Sequence, residues 1–289
     1  SEPSVLGAGR SEVRTGPAAA AAGFLQRRVV VSASIDDVLA ADFNRDGVPE
    51  IACLSWDATK KTNTLFVWAG DKSLKYKTRL SYSASQGATR FAGAADFNGD
   101  GKLDIAVQGS GFSYIVIFPG LGTGRFGAAK VFKVTDPWIW DYFTTSQVFD
   151  FDNDGKPDIV ELYWYDKIII LRNLGGFAFA KVDVAIKTGA SYGGLTTGDF
   201  SGDGKGDLFT VDLAKQTISF YESKGDGTFA KKYAKGVSAS GPHLFAALLN
   251  ADAKLDLVGS GKSSGEAWTM LGTGKGRTGP RIRLPGKSL

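Results

Sequence analysis

Carboxylates crowd this sequence at a nearly fixed interval. The stretches DFNRDGVPE (42–50), DFNGDGKLD (96–104), DFDNDGKPD (150–158) and DFSGDGKGD (199–207) place side-chain oxygens at their first, third, fifth and ninth positions and a glycine at the sixth. Left in water such charges only repel one another. Turned inward by a tight bend at the glycine, they become the hard oxygen ligands that Ca2+ takes six to eight at a time, at about 2.3–2.6 Å. The residue at the seventh position would add its backbone carbonyl. The expected ligands are Asp42, Asn44, Asp46, the Val48 carbonyl and Glu50 in the first stretch, and Asp96, Asn98, Asp100, the Lys102 carbonyl and Asp104 in the second. The third supplies Asp150, Asp152, Asp154, the Lys156 carbonyl and Asp158; the fourth supplies Asp199, Asp203, the Lys205 carbonyl and Asp207, with Ser201 as a weaker ligand. A worn fifth stretch, LLNADAKLD (248–256), has Leu248 first and Ala253 sixth and keeps only Asn250, Asp252 and Asp256. It is expected to bind weakly or not at all, which leaves about four Ca2+ sites.

One Asp-Asn-Gly stretch alone would read as a solvated turn, but four in register argue for a ligand. An EF-hand fits poorly, because no Glu stands at the twelfth position and each motif runs directly into an apolar strand-like segment rather than a helix. The elements that must position these loops recur with them. First residues of successive motifs are 54, 54, 49 and 49 apart. Between them the same order returns: a short apolar segment before the motif (DVLAA, FAGAA, SQVF, LTTG, LFAAL), a second after it (EIACLS, DIAVQG, DIVELY, DLFTVD, LDLVGS), a β-branched and aromatic third (TLFVWAG, YIVIFPG, KIIILRN, TISFYES, EAWTMLG), and a more polar fourth. Four strands per repeat at a period near fifty describe an all-β fold, a β-propeller of four-stranded blades with the calcium loops between strands one and two. Five blades are visible; six or seven, some incomplete or atypical, is the alternative. Two segments, GFLQRRVVVSA (23–33) and the C-terminal RIRLP, compete for one remaining strand-four position. Residues 1–22 show no strand alternation and are expected to form an arm or disordered tail, with 23–289 as a single propeller domain.

The motif D-x-[DN]-x-D-G-x-x-[DE] before an apolar strand, together with turns of the GDGTF type, resembles the FG-GAP or VCBS repeat of calcium-loaded propellers, such as integrin α-subunit heads, some fungal lectins and several polysaccharide lyases. The resemblance covers roughly residues 23–289. It implies the propeller and the calcium, and it leaves function open, since propellers host unrelated activities. Relatives of this kind usually carry six to eight blades.

The formal net charge is +4 and the basic residues are scattered, so nothing argues for nucleic acid. No apolar run approaches the roughly 20 residues that span a bilayer, and membrane insertion is not expected. The single cysteine, Cys53, excludes an internal disulfide framework. The four intact motifs hold 13 of the 30 acidic residues, so four bound divalent ions would carry the charge from +4 to about +12 and leave a surface suited to acidic partners. Ca2+ sites of this kind work where calcium is millimolar, which points to a secreted or cell-surface protein.

On the propeller face opposite the metal loops, the connecting segments carry Trp56, Asp57, Trp138, Trp140, Tyr142, Trp164 and Asp166, with Asp136 and Asp141 nearby. Aromatic faces beside carboxylates suit sugars, whose C–H faces stack on rings while hydroxyls seek polar partners. Trp68 and Trp268 lie in third strands and are expected to pack. For catalysis, His243 with Tyr192 and Arg90 would permit β-elimination on a uronate, and no nucleophile elbow, phosphate loop or zinc signature accompanies them. The resulting expectation is an extracellular, calcium-stabilised, non-catalytic module recognising a glycan, such as an acidic polysaccharide, in the manner of a lectin. The alternatives are a polysaccharide lyase acting on uronate-containing glycan and a module adhering to an extracellular protein.

Overall fold

A computed structural model of the chain describes residues 35–57, 62–71, 76, 78–84, 88–109, 114–133, 143–163, 167–184, 192–237, 240–261 and 266–284. No helix occurs among the described residues. The strands form five four-stranded antiparallel sheets, the blades of a β-propeller: β1 (Asp37–Ala41), β2 (Glu50–Asp57), β3 (Thr62–Ala69) and β4 (Thr78–Ala84); β5 (Ala88–Ala95), β6 (Asp104–Gly109), β7 (Tyr114–Phe118) and β8 (Lys130–Lys133); β9 (Phe143–Phe149), β10 (Asp158–Tyr163), β11 (Lys167–Gly175) and β12 (Ala178–Val184); β13 (Tyr192–Gly198), β14 (Asp207–Asp212), β15 (Thr217–Ser223) and β16 (Phe229–Gly236); and β17 (Ser240–Ala247), β18 (Asp256–Gly261), β19 (Ala267–Met270) and β22 (Ile282–Leu284). Second strands open on the ninth motif residue: β2 (Glu50–Asp57), β6 (Asp104–Gly109), β10 (Asp158–Tyr163), β14 (Asp207–Asp212) and β18 (Asp256–Gly261). β6 and β14 are buried along their whole length, as befits a strand covered on both faces.

The fourth strands β8 (Lys130–Lys133), β16 (Phe229–Gly236) and β22 (Ile282–Leu284) are largely exposed, and lysines and an arginine along them guard the open edge. The segment RIRLP takes the contested strand-four position: β22 pairs antiparallel with β19 (Ala267–Met270) through Ala267↔Leu284 and Thr269↔Ile282. Residues 1–34, including GFLQRRVVVSA, lie outside the described residues. A small hairpin, β20 (Gly272–Gly274) and β21 (Arg277–Thr278), fills the turn between β19 and β22.

The chain divides into two compact units, 1–94 with 102–135 and 95–101 with 136–289. In the first unit, Ala52, Leu54, Leu65 and Val67 of one blade close on Ile105, Val107, Val116 and Phe118 of the next. The other face of the first blade buries Ile51, Cys53 and Trp68, with Phe66 and Tyr76 packed beside them. Burial pushes the Cys53 thiol up to about 12, so it is inert at neutral pH.

In the second unit the same alternation repeats twice. Val160, Leu162, Ile168 and Ile170 meet Leu195, Leu208 and Tyr221, and Phe209, Val211, Ile218 and Phe220 meet Leu244, Leu257, Trp268 and Met270. Alternate residues of one strand thus face opposite neighbours, the period-two rule applied to a stack of sheets. Trp68 and Trp268 are packing residues, 6% and 0% exposed.

Candidate metal centres

The loops between first and second strands are built from Asx turns, in which short carboxylates gather main-chain N–H groups. In the fourth loop Asp199 Oδ1 accepts from the N–H groups of Gly202 at 2.7 Å and Asp203 at 3.1 Å, and its Oδ2 accepts from Gly204 at 2.9 Å. Asp203 Oδ1 accepts from Lys205 N–H at 3.0 Å. The third loop repeats this with Asp150, which accepts from Asp154 and Gly155 at 3.1 and 2.9 Å, and with Asp154, which accepts from Lys156 at 2.9 Å. In the second copy, residues 95–101 belong to the second unit, where Asp96 accepts from Gly99, Asp100 and Gly101. The sixth position has a left-handed backbone throughout, with φ of 83° at Gly47, 80° at Gly101, 82° at Gly155 and 83° at Gly204. Glycine adopts it without the Cβ clash that any other residue would meet. The fourth position is left-handed as well, at Arg45, Gly99, Asn153 and Gly202, a requirement that the residue types Arg, Gly, Asn and Gly conceal.

The ninth residue has a second task that sequence reasoning missed. Glu50, Asp104, Asp158, Asp207 and Asp256 are each 0% exposed. One oxygen of Asp158 accepts from Phe151 N–H at 2.9 Å and the other from Asn173 N–H, at the end of β11 (Lys167–Gly175), at 2.7 Å. Asp207 does the same with Ser201 and Ser223, and Asp256 with Leu249 and Gly272. Asp104 accepts from Gly120 at 2.7 Å, and Glu50 from Phe43 at 2.8 Å. In the third, fourth and fifth copies the acid therefore ties the loop to the chain at the end of the third strand. Its presence even in the worn copy was the available signal.

The phenylalanine at the second position also carries structure. Phe43, Phe97, Phe151 and Phe200 are all buried. Phe43 packs edge-on to Phe126, with centroids 5.1 Å apart, and Phe151 packs edge-on to Phe229. Their carbonyls are gripped as well: Phe97 O accepts from Asn173 Nδ2 at 3.0 Å, Phe151 O from Ser223 Oγ and Phe200 O from Gly276 N–H. The recurring DF pair was its signal in the sequence.

Among the described residues, Asp150, Asp152 and Asp158 bring carboxylate oxygens within 4.8 Å of one another, as do Asp199, Asp203 and Asp207. All donors are hard oxygens, the set that suits Ca2+. Burial drives the Asp158 carboxyl up to about 6 and raises that of Asp207, although two N–H groups pull each the other way. Crowded and desolvated carboxylates of this kind are relieved by a divalent cation. The residues present thus fit Ca2+ in the third and fourth loops.

The first loop differs: Asn44 Nδ2 donates to Glu50 Oε1 at 2.8 Å and to Asp46 Oδ2 at 3.0 Å. The amide must turn its oxygen inward before Asn44 can serve as a ligand, and burial raises the Glu50 carboxyl. In the second copy, Asp104 stands at the start of β6 in the first unit, and Asp96, Asn98 and Asp100 stand in the second.

The rims of the third and fourth loops carry tethered cations. Lys156 Nζ pairs with Asp154 Oδ2 at 2.6 Å and Lys205 Nζ with Asp203 Oδ2 at 3.1 Å. The Lys156 hydrogen bond holds Asp154 below the usual carboxylate range; against the pull of burial, bonds from Lys205 and Ser201 do the same for Asp203.

An FG-GAP-like repeat model matches residues 42–107, 96–161 and 150–210. The chain belongs to the FG-GAP-like repeat family. These matches take in all four intact loops, and the worn loop lies beyond them. No curated protein matches. Among solved structures, this FG-GAP chain is similar to BBS1N in complex with ARL6DN, soaked with lead, at TM-score 0.52 and 14% identity, over 86% of this chain and 68% of that one. The same complex soaked with mercury gives TM-score 0.49 and 11% identity over 86% and 80%. At these identities the likeness concerns the fold.

The expected ligand face falls mostly outside the described residues. Trp138, Trp140, Tyr142, Trp164 and Asp166 are not described, nor are Asp136 and Asp141. Trp56 and Asp57 end β2, and Tyr192 begins β13 (Tyr192–Gly198); their side chains are not described. His243 is exposed on β17 (Ser240–Ala247), stacked on Phe245 with centroids 6.4 Å apart, and Arg90 is exposed on β5 (Ala88–Ala95). His243 and Tyr192 lie in the second unit and Arg90 in the first.

Proposed function

We propose that this FG-GAP propeller is a Ca2+-stapled, non-catalytic recognition module that works outside the cell, with a protein as its partner. The observation that carries the reading is the convergence of three carboxylates in each of the third and fourth loops around buried Asp158 and Asp207. A bound cation would neutralise charge that the folded chain otherwise holds together at a cost. Asp150, Asp152, Asp154 and Asp158 would hold one ion, and Asp199, Asp203 and Asp207, aided by Ser201, another. The protein's own contribution is to orient them: main-chain N–H groups fix each carboxylate, and the ninth acid anchors the loop to the third strand.

Such loops serve stability rather than turnover, since their oxygens are engaged by backbone or aimed at a common centre. Millimolar calcium, found outside cells, is the concentration range in which extracellular modules fill. Support for a protein partner comes from the similar propeller BBS1N, whose structure is of a complex with ARL6DN. The glycan readings, lectin or lyase, rest on the aromatic segments around Trp138, Trp140 and Trp164 and on His243.

One experiment tests the reading. The chelated protein is titrated with Ca2+ while its melting temperature is followed, and the loaded form is then screened against acidic and neutral glycans and extracellular protein libraries. A melting temperature that ignores Ca2+ would remove the cation; sugar binding or unsaturated uronate product would replace the protein partner with a glycan.

A further inference from the structure

The third loop is the only one of the five with aspartate at the third position; the others have Asn44, Asn98, Ser201 and Asn250. Among the described residues it is also the loop that a guanidinium reaches. Asp152 Oδ2 is shut off from solvent and takes no directional hydrogen bond, and Arg172 Nε forms an ion pair with it. The Asp152 side chain is 8% exposed and that of Arg172 is 49% exposed, so the arginine bridges the loop interior and the surface.

Arg172 stands on β11 immediately before Asn173, the residue that donates to Asp158. The residues in the same register of the other four blades are Ala69, Pro119, Glu222 and Leu271. Glu222 pairs with Lys232 instead of with its loop. The extra carboxylate and the extra cation therefore occur together, in one blade.

We propose that Arg172 is a tethered counter-ion that sets the cation affinity of the third loop. It engages Asp152 when the loop holds no ion and leaves it when a divalent cation enters. This deepens the Ca2+ reading above and rests on it. Two effects of opposite sign meet at Asp152. A fourth carboxylate raises affinity for a hard cation, and a fixed positive charge against that carboxylate lowers it by competing for the oxygen and repelling the ion. Removing the arginine alone leaves the gain without the penalty. Removing both leaves a loop with an amide at the third position, the residue type of the first two loops. Filling of the third loop is then coupled to release of a guanidinium at the surface of β11, a coupling for which the fourth loop, with Ser201 and Glu222 at these positions, has no counterpart among the described residues.

The test is a Ca2+ titration of the full chain, followed loop by loop through the amide resonances of Gly155 and Gly204 and through the Arg172 Nε–H resonance. In the unaltered protein the Arg172 signal shifts in step with Gly155 and not with Gly204. Arg172→Ala lowers the midpoint at Gly155 by about five- to tenfold, the range expected for one partly buried charge pair, and leaves Gly204 unchanged. In an Asp152→Asn background Arg172→Ala changes neither midpoint. An unchanged Gly155 midpoint in Arg172→Ala overturns the inference, and so does an equal shift at both loops, which would mark a general charge effect. If neither loop responds to millimolar Ca2+, the cation reading fails and this inference with it. A response at both loops that ignores Arg172 removes the inference alone.

Discussion

The fourth and fifth loops, one intact and one worn, occupy the same unit and share a backbone plan. In both, the fifth-position carboxylate accepts from the seventh N–H at 3.0 Å, Lys205 to Asp203 in one and Lys254 to Asp252 in the other. In both, the buried ninth acid accepts from the loop and from the end of the third strand. They part at the first position. Asp199 gathers three N–H groups, whereas Leu248 has no oxygen to offer and is 62% exposed. They part again at the second, where Phe200 is buried and Leu249 is 47% exposed. The ninth acid, shared by both loops, holds strands together, whereas of the residues lost the first-position aspartate would face a cation and the second-position phenylalanine packs in the core. Motif positions that look alike as ligands therefore divide into a scaffold set and a cation set.

The largest effect that would break this division is at the scaffold. Asp207→Ala and Asp256→Ala should each cost about 2–4 kcal/mol in urea denaturation with chelator present, because each leaves one buried and one partly buried N–H group without an acceptor. A mild Asp256→Ala would show that the worn loop's acid is dispensable and erase the scaffold set. Next comes the cation. Ca2+ at ten times its dissociation constant should add about 1.4 kcal/mol per filled loop, and chelation should reverse it. Asp203→Ala should abolish one increment and Asp252→Ala none; equal losses would return the fifth loop to the ligand set.

A smaller and directional test uses pH. The Asp158 carboxyl is pushed up to about 6 in the ion-free fold, against about 3.9 in an unfolded chain. The unfolded state ionises first, so this group's contribution is fully present below about pH 4 and is lost as pH rises through about 6. The ion-free protein should therefore lose stability across that window, and Asp158→Asn should flatten the profile. Millimolar Ca2+ should reverse the slope by favouring the ionised carboxylate. The smallest effect is at Ala253, held at φ 58° where the intact loops have glycine. Ala253→Gly should stabilise by about 1 kcal/mol with no change in Ca2+ response, measured by the same denaturation. A gained Ca2+ response would mean that the bend, not the lost carboxylate, disabled the loop.

Much of this was legible in the residues. Repetition of DFxxDGxxD with an apolar run behind it determined the blade, its four strands and the bend at the sixth position, because strand alternation and left-handed glycines are local properties that a chain carries in its composition. β6, β10 and β14 begin on the acid and carry the apolar run that follows it. The competition between GFLQRRVVVSA and RIRLP could not be resolved that way, since both have strand character; hydrogen bonding of β22 to β19 decided it. The same holds for the ninth acid and the second-position phenylalanine. Partners such as Asn173 and Phe229 lie 15 or more residues away, and pairings at that range depend on which strands lie side by side. Arg172 shows the limit most plainly. Its charge is one of 34 basic residues in the sequence, and only the pairing of β10 with β11 sets it against Asp152. Local chemistry specified the loops; tertiary contacts decided which of their oxygens belong to the fold and which are left for a cation.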